Sequence, residues 1–166
     1  VLVGGGELHE RWETLLTVRA PLSRGIQRFT GITQAMVDEA PPAEAQLPEL
    51  AAQLRGRVLV AHSASFDRRV LRQAFERAGL RWPNPPQLCT VALARRLHPL
   101  GRQRRLRALA ESLGIDVEVS HRALADAETC ARVFCALFPR LCAHALTVRD
   151  ALDLVRPARP KRPRAK

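Results

Sequence analysis

Three side chains in this sequence, Asp67, His121 and Asp126, have types and settings that could do chemistry. Carboxylates offer the oxygen donors that hard divalent cations take. An imidazole exchanges a proton near neutral pH, which suits a general base. Asp67 closes the stretch Val58-Leu59-Val60-Ala61-His62-Ser63-Ala64-Ser65-Phe66-Asp67. Its unbroken apolar run, flanked by turn residues, predicts a strand buried on both faces. Ser63 or Ser65 can cap a following helix, in which Phe66, Val70, Ala74 and Ala78 recur at helical spacing and Leu71 and Phe75 widen the apolar face. Asp67 then lies in the first turn of a helix just past the C-terminal end of a strand, the edge where α/β proteins gather ligands. Taken alone, it reads first as an ordinary N-terminal helix acid favoured by the dipole. Asp126 lies near the start of the last long helix, which opens around His121-Arg122-Ala123-Leu124-Ala125-Asp126. His121 is five residues earlier, about 140° round if helical, and so is expected in the preceding loop, leaning over the same mouth. Each of these two also reads as an ordinary solvated residue.

The elements that would position these groups follow from periodicity and turn chemistry. Val1-Leu2-Val3, Gly4-Gly5-Gly6 and the run through Trp12, Thr14 and Leu15 predict a β-hairpin. The glycines lack the pattern of a phosphate loop. Phe29-Thr30-Gly31-Ile32-Thr33 predicts a turn, with Thr33 capping a short helix that ends before Pro41. Leu47, Leu50, Ala51 and Leu54 form the next amphipathic helix, closed by Gly56. Leu88 to Thr90 is a candidate strand, and Val91, Leu93, Ala94 and Leu97 a helix stopping near Pro99. Leu106, Leu109, Ala110 and Leu113 give a helical stripe ended by Gly114. The last long helix buries Leu124, Ala127, Ala131, Phe134, Cys135 and Phe138 and is expected to stop before Pro139. Thr147 to Val155 predicts a short final helix, and the Pro/Arg-rich residues after it a tail or linker.

At 166 residues the chain is long enough for one domain with a sizeable core. No apolar run approaches the ~20 residues of a membrane span, and the expected location is cytoplasmic. The net charge is +11; residues 156–166 hold six basic residues and no acidic one, leaving 21 basic against 16 acidic residues, a net +5. That balance suits a polyanionic partner such as nucleic acid, although an arginine-rich composition alone would also produce it. Cys89, Cys130, Cys135 and Cys142 form no disulfide framework, and with His144 they fit no zinc spacing, so buried cysteines are expected.

A strand ending in Ala-His-x-x-x-Phe-Asp and, some 60 residues on, His-x4-Asp resembles the DEDDh 3′–5′ exonucleases, the superfamily of the proofreading epsilon subunit of bacterial DNA polymerase III. Phe29 to Thr33 with Met36-Val37 and Ala40-Pro41, then Cys89-Thr90 with Leu93-Ala94-Arg95-Arg96, and Leu106 through Gly114 fit the same family in order, so that the resemblance covers roughly residues 1–140. It implies an α/β, RNase H-like exonuclease fold, a mixed sheet with flanking helices, over residues 1–146, with a short helix and basic tail over 147–166. It implies two divalent ions, Mg²⁺ or Mn²⁺. Asp126 would bind the nucleophile-side metal directly and Asp67 the other, through water. His121 would be the general base. Phe29 and Ile32 would pack beside the terminal nucleotide, and Ser63 and Phe66 would line its pocket, although Ser63 stands where the family usually has asparagine. The implied partners are DNA 3′ ends, single-stranded or frayed, and a polymerase or fused C-terminal domain, with no membrane. The family's Asp-x-Glu motif, on the first strand, is not found before the hairpin. Asp116-Val117-Glu118 has the letters but reads as a solvent loop. The expectation is a fold truncated by its first strand and inactive as it stands. The alternatives are a non-catalytic nucleic-acid-binding or adaptor module, and a 3′–5′ exoribonuclease.

Overall fold

The structure, a computed structural model, describes residues 1–98, 105–117 and 122–156. A tight hairpin, β1 (Val3–Gly4) and β2 (Glu7–Leu8), opens the chain, with Gly5 and Gly6 at positive φ in its turn. Backbone bonds between Leu2 and residues 9 and 10 lengthen the ladder by one step. The expected return strand through Trp12 to Leu15 does not form: residues 9–18 carry no strand, and Thr17 N–H instead bonds the Pro41 carbonyl. Alternating apolar side chains there meet no neighbouring strand among the described residues.

Two short helices follow, α1 (Arg24–Thr30) and α2 (Gln34–Asp38). The Ser23 hydroxyl caps α1, Gly31 ends it in the left-handed conformation, and Thr33 caps α2 as its position predicts. The expected turn at Phe29-Thr30 is thus the last turn of a helix, because Ser23 starts that helix seven residues earlier. α3 (Ala43–Leu54) leads to β3 (Leu59–Ala61), and α4 (Ser65–Arg77) to β4 (Gln87–Cys89). β3 and β4 pair in parallel, Val60 opposite Leu88. This β-α-β unit explains the long connection, since parallel neighbours need a crossover. The described residues hold two two-stranded sheets, one antiparallel and one parallel.

β3 departs from expectation in one respect: all three residues are half-buried rather than buried on both faces. Its one strand partner among the described residues is β4, and Leu59, Val60 and Ala61 line a cavity. Neither serine caps α4; Ala64 holds the cap position, and Ser63 turns the chain with φ of 63°.

The core packs against β4 and borders the same cavity through Leu88, Phe134, Leu141 and Ala151. α5 (Thr90–Leu97), α6 (Leu106–Ser112), α7 (Ala123–Cys142) and α8 (Val148–Val155) pack Leu88, Leu93, Leu109, Val133, Leu137 and Ala151 together. α7 runs through Pro139 rather than stopping before it. Proline removes one amide donor, but Leu137 and Leu141, buried in the core, hold the last turn in place. Of the six residues expected to be buried on α7, Ala131 and Phe134 are; Leu124, Ala127, Cys135 and Phe138 are half-buried. α8 starts in a reciprocal Thr147–Asp150 capping box and lies against α5 and β4. No helix among the described residues is long and apolar enough to cross a membrane. All four cysteines are free thiols.

Candidate active site

Asp67 and Asp126 come to the wall of one cavity of about 1440 Å³, which Val3, Val60, His62 and Phe134 also line. Two different elements present the acids. α4 follows β3 after a three-residue turn, and its inward face is Asp67, Leu71, Ala74, Phe75 and Ala78, spaced i, i+4, i+7, i+8 and i+11. Phe66 and Val70, expected on the apolar face, are 58% and 45% exposed. The inward stripe is therefore rotated by one residue, and the carboxylate sits on it. Asp126 lies in the first turn of α7, its own N–H bonded to the Arg122 carbonyl. Cys130, one turn further along α7, feels the charge of Asp67 and is pushed up to about 11, mainly by burial.

Burial also raises the Asp67 carboxyl above the ordinary value, against the smaller opposing effects of a backbone hydrogen bond and of His62. The native state therefore holds this proton more tightly than the unfolded chain, and stability falls as pH rises from the unfolded value of 3.8 through the folded one. Asp67→Asn should accordingly melt at a higher temperature than the unsubstituted protein at pH 7 in EDTA. The advantage should vanish below pH 3.8. Thermal melts across that range check it; an Asn variant less stable at pH 7 would contradict the burial argument.

His62 Nδ1 lies 2.9 Å from the Thr90 hydroxyl, and Thr90, the first residue of α5, is completely buried. The Gln87 amide donates to the Ala64 carbonyl and ties β4 to the turn that carries α4. The guanidinium of Arg11, which also lines the cavity, pairs with Glu128 of α7 and lowers its carboxyl pKa, joining the segment after the hairpin to that helix. Arg122 donates to the Thr30 carbonyl at 3.4 Å, which brings the end of α1 to the start of α7.

The expected substrate contacts are placed less directly. Phe29, Ile32, Ser63 and Phe66 do not line the cavity shared by the two acids. Phe29 is 62% exposed near that end of α1, and the Arg69 guanidinium sits 5.6 Å from the Phe66 ring centre. Ser63 is exposed in its left-handed turn. His121 and Glu118 lie outside the described residues, as do residues 102 and 104 and the tail beyond 156. Asp116 is exposed after α6, as a loop residue should be. Sequence reading gave no role to His62, Thr90 or Arg122. The signals that could have found them were the histidine at the strand's end, the threonine opening α5 and the arginine just before α7.

The donor set fits a hard cation. Mg²⁺ commonly keeps several waters beside one or two carboxylates, and Asp67 and Asp126 supply two. Among the described residues no group of three histidine, cysteine or acidic side chains could hold a metal.

The architecture is α/β and RNase H-like, and the solved structure of Exonuclease X in complex with 5′ overhanging duplex DNA resembles it, with a TM-score of 0.67, 28% identity, and coverage of 92% of this chain and 86% of that one. A Mycobacterium tuberculosis protein named for both exonuclease and endonuclease functions is 41% identical over 145 residues, covering 85% of this chain and 22% of that protein. The PolC-type DNA polymerase III of Bacillus cereus is 37% identical over 128 residues, and that of Thermotoga maritima 38% over 135. Those alignments cover 77% and 81% of this chain but 9% and 10% of the polymerases, so the chain spans a small part of these relatives. The exonuclease family profile RNase_T matches residues 1–134. The chain belongs to that exonuclease family.

Proposed function

We propose that this domain removes nucleotides from the 3′ ends of DNA by metal-dependent hydrolysis of the phosphodiester bond. The observation that carries the reading is the convergence of Asp67 from α4 and Asp126 from α7 on one cavity. Bound divalent ions, Mg²⁺ or Mn²⁺, would stabilise the attacking water and the leaving 3′ oxygen. Asp126 would hold the ion on the side of the attacking water, and Asp67 the other, through water. The burial that raises the Asp67 carboxyl makes its anion costly alone and favours a cation beside it. His121 would take the proton from the attacking water. Phe29, 62% exposed, would pack beside the terminal nucleotide, and Phe66, with the Arg69 guanidinium over its ring, would line its pocket. Ile32 and Ser63 would complete the contacts to the terminal nucleotide.

DNA is favoured as substrate because the named relatives include DNA polymerases and an exonuclease in complex with DNA. A polymerase, or a further domain on the same chain, is the proposed setting. Two carboxylates hold one ion more readily than two, so an Asp-x-Glu pair is proposed to complete the set, and this 166-residue chain is expected to bind DNA ends without turnover. The test uses a 5′-labelled single-stranded DNA with Mg²⁺ or Mn²⁺, and this chain or one extended upstream through an Asp-x-Glu strand. A ladder of 3′-shortened products from the extended chain, abolished by EDTA, is the expected result. DNA binding by both without cleavage, indifferent to EDTA, would replace the nuclease with a binding module.

A further inference from the structure

The two acids sit on different helices, and a metal site needs them in fixed register. β3 and α5 both pack against α7, and a buried hydroxyl adds a polar contact between these supports. Thr90 begins α5 directly after β4 and has no exposed surface. It meets His62, which ends the run of β3 three residues before α4, with Nδ1 at 2.9 Å. Thr90 also neighbours the Cys130 side chain, one turn beyond Asp126 on α7, and partly offsets the rise that burial gives its thiol, and α5 itself packs against α7. A hydroxyl can donate one bond and accept another, so it can serve both neighbours at once. Inside a protein such a bond is stronger than in water, and an unmet polar group is costly.

We propose that Thr90 is a positioning residue of the cation site: its buried hydroxyl, held between His62 and Cys130, fixes the end of β3 against α7 and so sets Asp67 and Asp126 at the separation that binds a divalent ion. This inference rests on the reading of the two acids as ion ligands. Thr90 itself touches neither ion nor DNA. Supports of this kind typically change metal affinity by about 10- to 100-fold when removed.

The probe is Mn²⁺ binding to the full 166-residue chain, measured by calorimetry in the absence of DNA, with thermal melts beside it. Asp67→Asn and Asp126→Asn should each abolish or greatly weaken the titration. Thr90→Val keeps the shape and removes the hydroxyl, and should weaken Mn²⁺ binding by about 10- to 100-fold. Thr90→Ser restores the hydroxyl and should return the affinity to within about threefold of the unsubstituted chain. Should Thr90→Val fail to fold, the His62 pair decides. His62→Asn puts an amide where Nδ1 stands and should keep the affinity, whereas His62→Phe should lose it. Aspartate variants that bind Mn²⁺ normally would overturn the ligand reading itself. Aspartate variants that fail, with Thr90→Val or His62→Phe binding as tightly as the unsubstituted chain, would overturn the positioning role alone.

Discussion

Replacing Asp126 by asparagine is expected to slow 3′-end shortening by about 10³-fold or more in a chain that carries the full set of carboxylates, with DNA affinity changed far less. Asparagine has nearly the same shape and lacks the charge. Asp126 is half-buried in the first turn of α7, where its N–H already bonds the Arg122 carbonyl, so the substitution leaves the helix start intact. What is lost is the anion that would hold an ion against the developing charge, an effect worth several kcal/mol, and three decades of rate are about 4 kcal/mol. Single-turnover cleavage of a 5′-labelled DNA strand gives the rate free of product release. Asp67→Asn should fall by a similar factor. The double variant should be little worse than either alone, because groups that act as one unit are not additive. An Asp126→Asn protein that cuts at the unsubstituted rate would remove Asp126 from the site.

Truncating Phe75 to alanine should cost about 3–5 kcal/mol of folding stability, the usual range for a buried phenylalanine. Phe75 is 1% exposed on the inward face of α4 and meets Trp82 edge to face, ring centres 5.3 Å apart. A domain of this size has roughly 5–15 kcal/mol in all, so the loss is a large share. The Trp82 indole N–H is buried and has no hydrogen-bond acceptor among the described residues, which leaves ring packing as the main support of that loop. The urea midpoint should drop, with little change in slope if the unfolded state is unaltered. Because Asp67 and Phe75 share one face two turns apart, Phe75→Leu should retain most of the stability while loosening α4. A Phe75→Ala midpoint equal to the original would mean that α4 is not seated by this ring.

The helices were legible where their ends are marked chemically. Thr33, Gly114 and Thr147 stop or start helices at the places their residue types predict. Which stripe of α4 faces inward was not legible, because apolar residues at 66, 70, 71, 74, 75 and 78 offer two adjacent stripes. Spatial neighbours decide between them, and they take the one with Asp67. Pro139 misled for a related reason: local chemistry argues for a stop, and tertiary packing of Leu137 and Leu141 overrides it. Asp67 and Asp126, 59 residues apart in sequence, both line one cavity, and spacing within either helix could not say so. The His62–Thr90 bond was invisible, since nothing in a strand's alternation says which hydroxyl an imidazole 28 residues away will find.

α1 contains no buried residue. It is fastened by the Ser23 cap, by the left-handed Gly31, and by the Arg122 donor on Thr30. A segment with so little burial opens at a small fraction of the global free energy, as amide exchange would record. Phe29 therefore rides on a helix that can unfasten while the core of α5, α6 and α7 stays shut. Amide protons of α1 are expected to exchange well before those of α5, α6 and α7.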